Sequence, residues 1–475
     1  MTKRQKSIHP AEIIQVEHGL QYTPHPCWIA FGYPAPYSVA ASSLGYQTVY
    51  RHWNTHEGIS CERFVYDGEN PQIPRTLESA QPISAAAALA FSMACETDLL
   101  PVVQMMRRSG ISPLRKERTD SNIPVIAGGP LTLLSPELLS PLADVVVCGE
   151  GEDALDTIAN ALADSPNKSL FLKALSTAAD KGIWIPSLAP APRKMHTVGI
   201  DRLPAFAATW SSLADFKDLF LVEIARGCPR RCAFCLLAQS GRFRAVPKEV
   251  ILSKIPDSAR GVGLVGAAVT DHPHLEEIVA EIVARQRRVS LSSMRADRLT
   301  PELLSRLVEG GLRTLTVAAD GASEAIRARI RKGITEQHLI DAAKMARTQK
   351  LKGLKLYSMV GLPDETDADM VDFARLVTEL SKLLRITVAI QSFVPKPNTP
   401  LGNVPMVETR LLKQRLNSFQ RQMKGRVIIQ STSPRWSWVD WKLAHSKERG
   451  LDVAMAVSKT GGDFSDWKRA IANYL

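Results

Sequence analysis

The sequence predicts an α/β protein: an N-terminal doubly wound, Rossmann-like parallel sheet, then a partial (β/α)6 TIM-like barrel with a short C-terminal extension. Three observations carry that prediction. Short apolar runs closed by glycine alternate with helix-compatible stretches in the first third of the chain. A proline-rich connection, IWIPSLAPAPRKMHTVGIDRLPAF (183–206), then interrupts the alternation. Six more strand–helix units follow, too few to close an eight-unit barrel. A length of 475 residues itself exceeds one ordinary core.

In chain order, CWIAFGYP (27–34) reads as a strand, YSVAASSLG (37–45) as a helix, and QTVYRHWN (47–54) alternates like a strand. SAAAALAFSMA (84–94) suits either state, and the stretch after it reads as a helix ending at Gly110. IPVIAGG (123–129) and ADVVVCGEG (143–151) look like buried parallel strands, and EDALDTIANALA like the helix after them. Ligands of such sheets sit beyond the carboxyl ends of the strands, where Gly128–Pro130 and Gly149–Gly151 fall. In the second series the strands are expected at 219–225, 261–269, 289–294, 314–320, 354–361 and 386–394, with helices such as PELLSRLVEGG and TEQHLIDAAKMARTQ between them. GVGLVG (261–266) fits a dinucleotide fingerprint, but that motif follows a strand, and this run is itself the strand. The expected boundaries are 1–182, a linker at 183–218, a barrel at 219–405 and an extension at 406–475.

Apolar residues make up 45% and charged residues 23% of the chain, ordinary values for a globular protein. No run approaches the roughly 18 apolar residues of a membrane span, and the N-terminus lacks the apolar core of a secretory signal. Cys27, Cys61, Cys95 and Cys148 are scattered in apolar contexts, a reducing-compartment pattern, so a cytoplasmic protein is expected. The formal charge is +11. Residues 406–475 hold 13 Lys and Arg against 6 Asp and Glu, together with Trp436, Trp438, Trp441 and Trp467. Such a tail either grips a polyanion such as RNA or packs its tryptophans onto the main core.

The remaining three cysteines crowd into EIARGCPRRCAFCLLAQSG (223–241), as Cys228, Cys232 and Cys235. Zinc needs a fourth ligand, and the nearest histidines, His196 and His272, are more than 30 residues away. The compartment and the odd count speak against a disulfide. An iron–sulfur cluster usually takes four thiolates, so three would leave one iron with open coordination. Arg226, Arg230, Arg231, Arg242 and Arg244 surround the trio, and positive charge favours thiolates.

C-x-x-x-C-x-x-C with Phe234 before its last cysteine, directly after a first barrel strand, resembles the radical S-adenosylmethionine (radical SAM) superfamily. The resemblance implies a [4Fe-4S] cluster on Cys228, Cys232 and Cys235, S-adenosylmethionine as the missing ligand, and an electron donor of the flavodoxin or ferredoxin class. LKLYSMVGLPDET (354–366) is similar to the family's fifth-strand motif, with Gly361 near the adenosine. SFVPKPNTPLG (392–402) is similar to a sixth-strand segment of the methylthiotransferase-related subgroup. SSMRAD (292–297) and DGASEAIRARIRKGITE (320–336) resemble the third and fourth strand ends, which implies cofactor contacts from Arg295, Ser323 and Arg327. Gly266 is expected to let the methionine end approach closely. The AADGAS run departs from the family's fourth strand end, which leaves the roles of Asp320 and Ser323 open.

The first domain resembles the cobalamin-binding-like domain that precedes many radical SAM domains, through IAGGP and ADVVVCGEGEDAL. Its histidine-ligand motif is missing: GYPAPYSVAASSLG follows the first strand, and NTHEG (54–58) has the wrong spacing. Either cobalamin binds without a histidine from this loop, or the domain keeps the fold without the cofactor. The expected function is reductive cleavage of S-adenosylmethionine to a 5′-deoxyadenosyl radical, with cobalamin-dependent methylation of an unactivated centre if cobalamin binds. The alternatives are radical modification of RNA or another macromolecule without cobalamin, and an iron–sulfur electron carrier or sensor. Methylthiotransfer fits less well, because the N-terminal domain lacks that family's three-cysteine set.

Overall fold

The computed structural model describes residues 10–68, 72–190, 195–239 and 241–475. It is a mixed α/β fold with parallel sheets, in two compact units: Met1–Phe220 with Lys442–Leu475, and Leu221–Trp441.

In the first unit, β1 (Glu17–Gly19) stands apart from a six-stranded sheet. That sheet comprises β2 (Trp28–Tyr33), β3 (Ser60–Val65), β4 (Ala88–Ser92), β5 (Val125–Gly128), β6 (Val145–Val147) and β7 (Ile183–Trp184). The order across it is β3-β2-β4-β5-β6-β7, parallel except for β7, which runs antiparallel to β6. Because side chains alternate along a strand, each strand feeds two cores. On one face Ile29, Phe31, Ala88, Ala90, Ile126 and Val145 meet Tyr46, Tyr50 and Trp53 of helix Leu44–Asn54, and Leu155 and Ile158 of helix Glu152–Asp164. On the other, Ala30, Leu89, Phe91, Val125 and Ala127 meet helix Leu99–Arg108, with Leu451 and Ala454 from helix Gly450–Val457. β8 (Thr209–Ser211) pairs antiparallel with β1.

One expectation fails here for a physical reason. Residues 47–54 belong to helix Leu44–Asn54, not to a strand. Tyr46, Tyr50 and Trp53 recur at helical spacing and bury one face, and Ser43 caps the start by accepting from the Tyr46 N–H. Instead β3 supplies the edge strand, which the sequence hides behind Glu62 and Arg63. Both charges are buried because they are paired: Arg63 with Glu17 and Glu78, and Glu62 with hydroxyls of Tyr22, Thr76 and Ser79.

The second series starts at β9 (Phe220–Glu223). It continues through β10 (Ala225–Arg226), β11 (Arg244–Ala245), β12 (Gly261–Val265), β13 (Arg288–Leu291), β14 (Thr314–Ala318), β15 (Gly353–Val360), β16 (Ile386–Ser392) and β17 (Ile428–Ser431). Strands order as β13-β12-β9 and β14-β15-β16-β17, and a parallel bridge from Met294 to Val317 joins the end of the β13 segment to β14. GVGLV is thus a strand, as read. The expected boundary at 405 falls inside this unit, because β17 pairs parallel with β16. The expected extension 406–475 is therefore divided between the two units. The expected linker 183–218 contributes β7 and β8 to the first.

Candidate active site

The cysteine loop hangs from a short ribbon. β10 pairs antiparallel with β11, so the chain leaves after Arg226 and returns at Arg244. Gly227 makes the exit turn at φ +77°, where an added Cβ would lie 2.5 Å from the Arg242 carbonyl oxygen. Within the loop the Cys235 N–H donates to the Cys232 carbonyl, and the Ala233 N–H to the Ile330 carbonyl. Phe234 is packed against an apolar cluster of Ile326, Ile330, Leu362 and Phe393, so its ring anchors the loop to the ends of β15 and β16. Cys232 is buried and Cys228 and Cys235 are half-buried. Burial pushes the Cys228 and Cys232 thiols up. Lys332 and Arg295 pull Cys232 back down, and Cys235 acts electrostatically on both.

Charged side chains from the neighbouring strand ends ring this loop. Asp271, after β12, pairs with Arg230 of the loop and with Arg298. Arg295, after β13, spends its guanidinium on Asp297 at 2.9 Å and on the Lys332 carbonyl. Lys332 reaches back to Asp320 at 2.5 Å, and Asp320 follows β14 with φ +62°. Sequence reasoning passed over Lys332. Its signal is only a lysine twelve residues after Asp320, and the contact needs the turn after helix Glu324–Arg329.

Ser323 and Arg327 both have partners within the chain. The Ser323 hydroxyl caps helix Glu324–Arg329 by accepting from the Ile326 N–H, and it donates to Asp369. Arg327, 1% exposed, donates to the carbonyls of Gly321, Ala322 and Ile334. Gly266 and Gly361 are also occupied by the chain itself: added Cβ atoms would meet the Ala225 carbonyl oxygen at 2.9 Å and Leu412 Cδ2 at 2.4 Å. Beyond Gly361 lies a carboxyl the sequence reading did not single out. Glu365 Oε1 accepts from the Gly361 N–H at 2.8 Å and from Arg415 at 3.2 Å, while Oε2 has no hydrogen-bond partner among the described residues. Burial pushes its pKa up to about 7.

Residues 222–377 match the family model "Radical SAM superfamily", and residues 45–186 match "Radical SAM proteins, N-terminal". The chain belongs to the radical SAM superfamily. Among its relatives, an uncharacterized protein of Methanocaldococcus jannaschii is 27% identical over 78% of this chain and 78% of its own length. An uncharacterized methyltransferase of Pyrococcus horikoshii is 26% identical over 62% of this chain and 65% of its own. A ribosomal protein uS12 methylthiotransferase of Salinispora arenicola is 31% identical, but across only 33% of this chain and 34% of its own. Among solved structures, the cobalamin-dependent S-adenosylmethionine radical enzyme OxsB with aqua-cobalamin and S-adenosylmethionine bound has a similar fold. Its TM-score is 0.52 at 12% identity, covering 94% of this chain and 70% of that one.

In this radical SAM protein, the carboxyl end of the N-terminal sheet offers no imidazole after β2. His56 precedes β3 and so lies at the amino end of the parallel strands, and both its ring nitrogens are engaged, by Asn160 and the Gly58 N–H. The NTHEG run therefore follows a helix, not a strand. His196 lies beside β6, with its Nε2 on Asp153 at 2.8 Å. The glycines there serve close backbone packing: Cβ atoms on Gly129 and Gly149 would meet the Met93 and His196 carbonyl oxygens at 2.6 and 2.4 Å.

Proposed function

We propose that residues 221–441 form an open partial barrel that binds a [4Fe-4S] cluster on Cys228, Cys232 and Cys235 and cleaves S-adenosylmethionine reductively. The observation that carries this reading is the three-cysteine loop on the β10–β11 ribbon, within the segment that matches the radical SAM model. The donor set fits. Its three side chains are all thiols, the donors that hold iron–sulfur clusters, and they lie within eight residues of one loop. The other four cysteines all belong to the first unit. When bound, such a cluster supplies the electron that splits S-adenosylmethionine into methionine and a 5′-deoxyadenosyl radical.

The chain's own part is positioning and electrostatics. Phe234 holds the loop down, Arg230 ties it to Asp271, and Lys332 and Arg295 act on Cys232 with positive charge that would suit an anionic cluster and a cofactor carboxylate. Cys232→Ala is expected to abolish both the brown absorbance of anaerobically reconstituted protein and 5′-deoxyadenosine formation. Cys61→Ala, at a buried position remote from the loop in sequence, is expected to keep both. Cleavage persisting in Cys232→Ala would refute the ligand assignment.

A second reading, cobalamin-dependent methylation, is supported by the likeness to the OxsB fold along 94% of the chain. With no imidazole after β2, bound cobalamin is expected to show a spectrum without protein histidine coordination. His56→Ala is expected to leave that spectrum unchanged, and a shift of its bands would reverse the reading.

A further inference from the structure

The basic tail that left two readings open in the sequence is two different things in the structure. Residues 442–475 pack into the first unit: Leu451, Val453, Ala454, Val457 and Trp467 are buried. The cations concentrate instead on helix Thr409–Gln422 and the turn before β17. From 409 to 439 the chain contains seven Lys and Arg and no Asp or Glu. The helix buries Leu412, Arg415, Leu416 and Phe419, and Arg415 is consumed by Glu365 and Asp367. Arg410, Lys413, Arg421, Lys424 and Arg426 are exposed, and none of the five has an ion-pair partner among the described residues. At 3.6 residues per turn, Arg410, Lys413 and Arg421 fall within about a quarter-turn of one another, opposite the buried face, over a rise of about 16 Å. Asn417 lies between them, and Gln414, Gln420 and Gln422 are exposed alongside.

We propose that this stripe is an RNA-docking face. A line of unpaired cations interleaved with amides matches a phosphate backbone flanked by ribose and base edges. Trp436, 41% exposed five residues after β17, offers a surface on which a base can stack. An anionic membrane fits worse, because the apolar face of the helix is already spent on Phe373 and its neighbours, as the stacked Phe373–Phe419 rings show. The inference stands apart from the cluster chemistry, which reports through its own absorbance.

The test is titration of fluorescently labelled bulk transfer RNA with full-length reconstituted protein across a salt series. With up to five phosphate contacts, log affinity is expected to fall against log salt with a slope of up to about −3.5. Combined Arg410→Glu, Lys413→Glu and Arg421→Glu is expected to weaken binding at least about tenfold and flatten the slope by about 2, with unchanged circular dichroism and unchanged cluster absorbance. RNA binding that the triple variant leaves intact, or no binding at low salt, overturns the proposal. So does equal or tighter binding to phosphatidylserine vesicles or to polyglutamate.

Discussion

Glu365 shows how one residue couples a motif to its surroundings. Its carboxyl is buried, accepts from the Gly361 N–H, and keeps one oxygen without a partner among the described residues, so burial favours the neutral form in the folded protein. With a folded pKa of about 7 against an ordinary 4.5, this group binds a proton in the folded state that the unfolded chain has released. Its contribution to stability is fully present below pH 4.5 and is lost as the pH rises through about 7, a change of about 3 kcal/mol. Glu365→Gln mimics the neutral form, so urea midpoints measured from pH 5 to 8 are expected to lose that downward slope. An identical slope in the variant would place the titration elsewhere. In the sequence Glu365 sits inside GLPDET, where no local pattern sets it apart. Its partner Arg415 is 50 positions away, beyond the boundary expected from composition.

At the scale of elements, glycines separate turn chemistry from packing. Gly361 ends β15 at φ +88°, and a Cβ there would press on Leu412 of helix Thr409–Gln422. Gly361→Ala is expected to cost about 1–3 kcal/mol from backbone strain and the clash. Gly45 is the second residue of helix Leu44–Asn54, exposed, with nothing within 4 Å of an added Cβ. Gly45→Ala is expected to stabilise by about 0.5–1 kcal/mol. Thermal unfolding of the two variants checks both signs, and a stabilised Gly361→Ala would contradict the close approach to Leu412. The same helix marks where pattern reading went astray. Its aromatics at 46, 50 and 53 carry a helical period, but the alternating QTVYRHWN stretch masks it, while β3 conceals its strand character behind a buried ion pair.

At the scale of the molecule, the chain returns after its second unit to complete its first. Leu451 and Ala454 enter the core formed with helix Leu99–Arg108 and the Ala30, Leu89 and Val125 face of the sheet. Leu451→Ala is expected to destabilise by about 2–5 kcal/mol as a buried large-to-small change. Hydrogen exchange should locate the effect: faster exchange in peptides spanning 88–108 and 125–147, and little change in 353–392. The reverse pattern would assign the tail to the wrong unit. The sequence alone determined the α/β alternation, the six strands of the second series and the three-cysteine loop, because hydrophobic period, glycine punctuation and cysteine spacing are local signals. Only the tertiary structure decided that β17 extends the second sheet and that residues 442–475 join the first unit. It also bonded Ser323 to Asp369 and Arg327 to backbone carbonyls, and tied Lys332 to Asp320. Those outcomes rest on contacts between segments far apart in the chain, where burial and the pairing of charges choose among partners that no local pattern distinguishes.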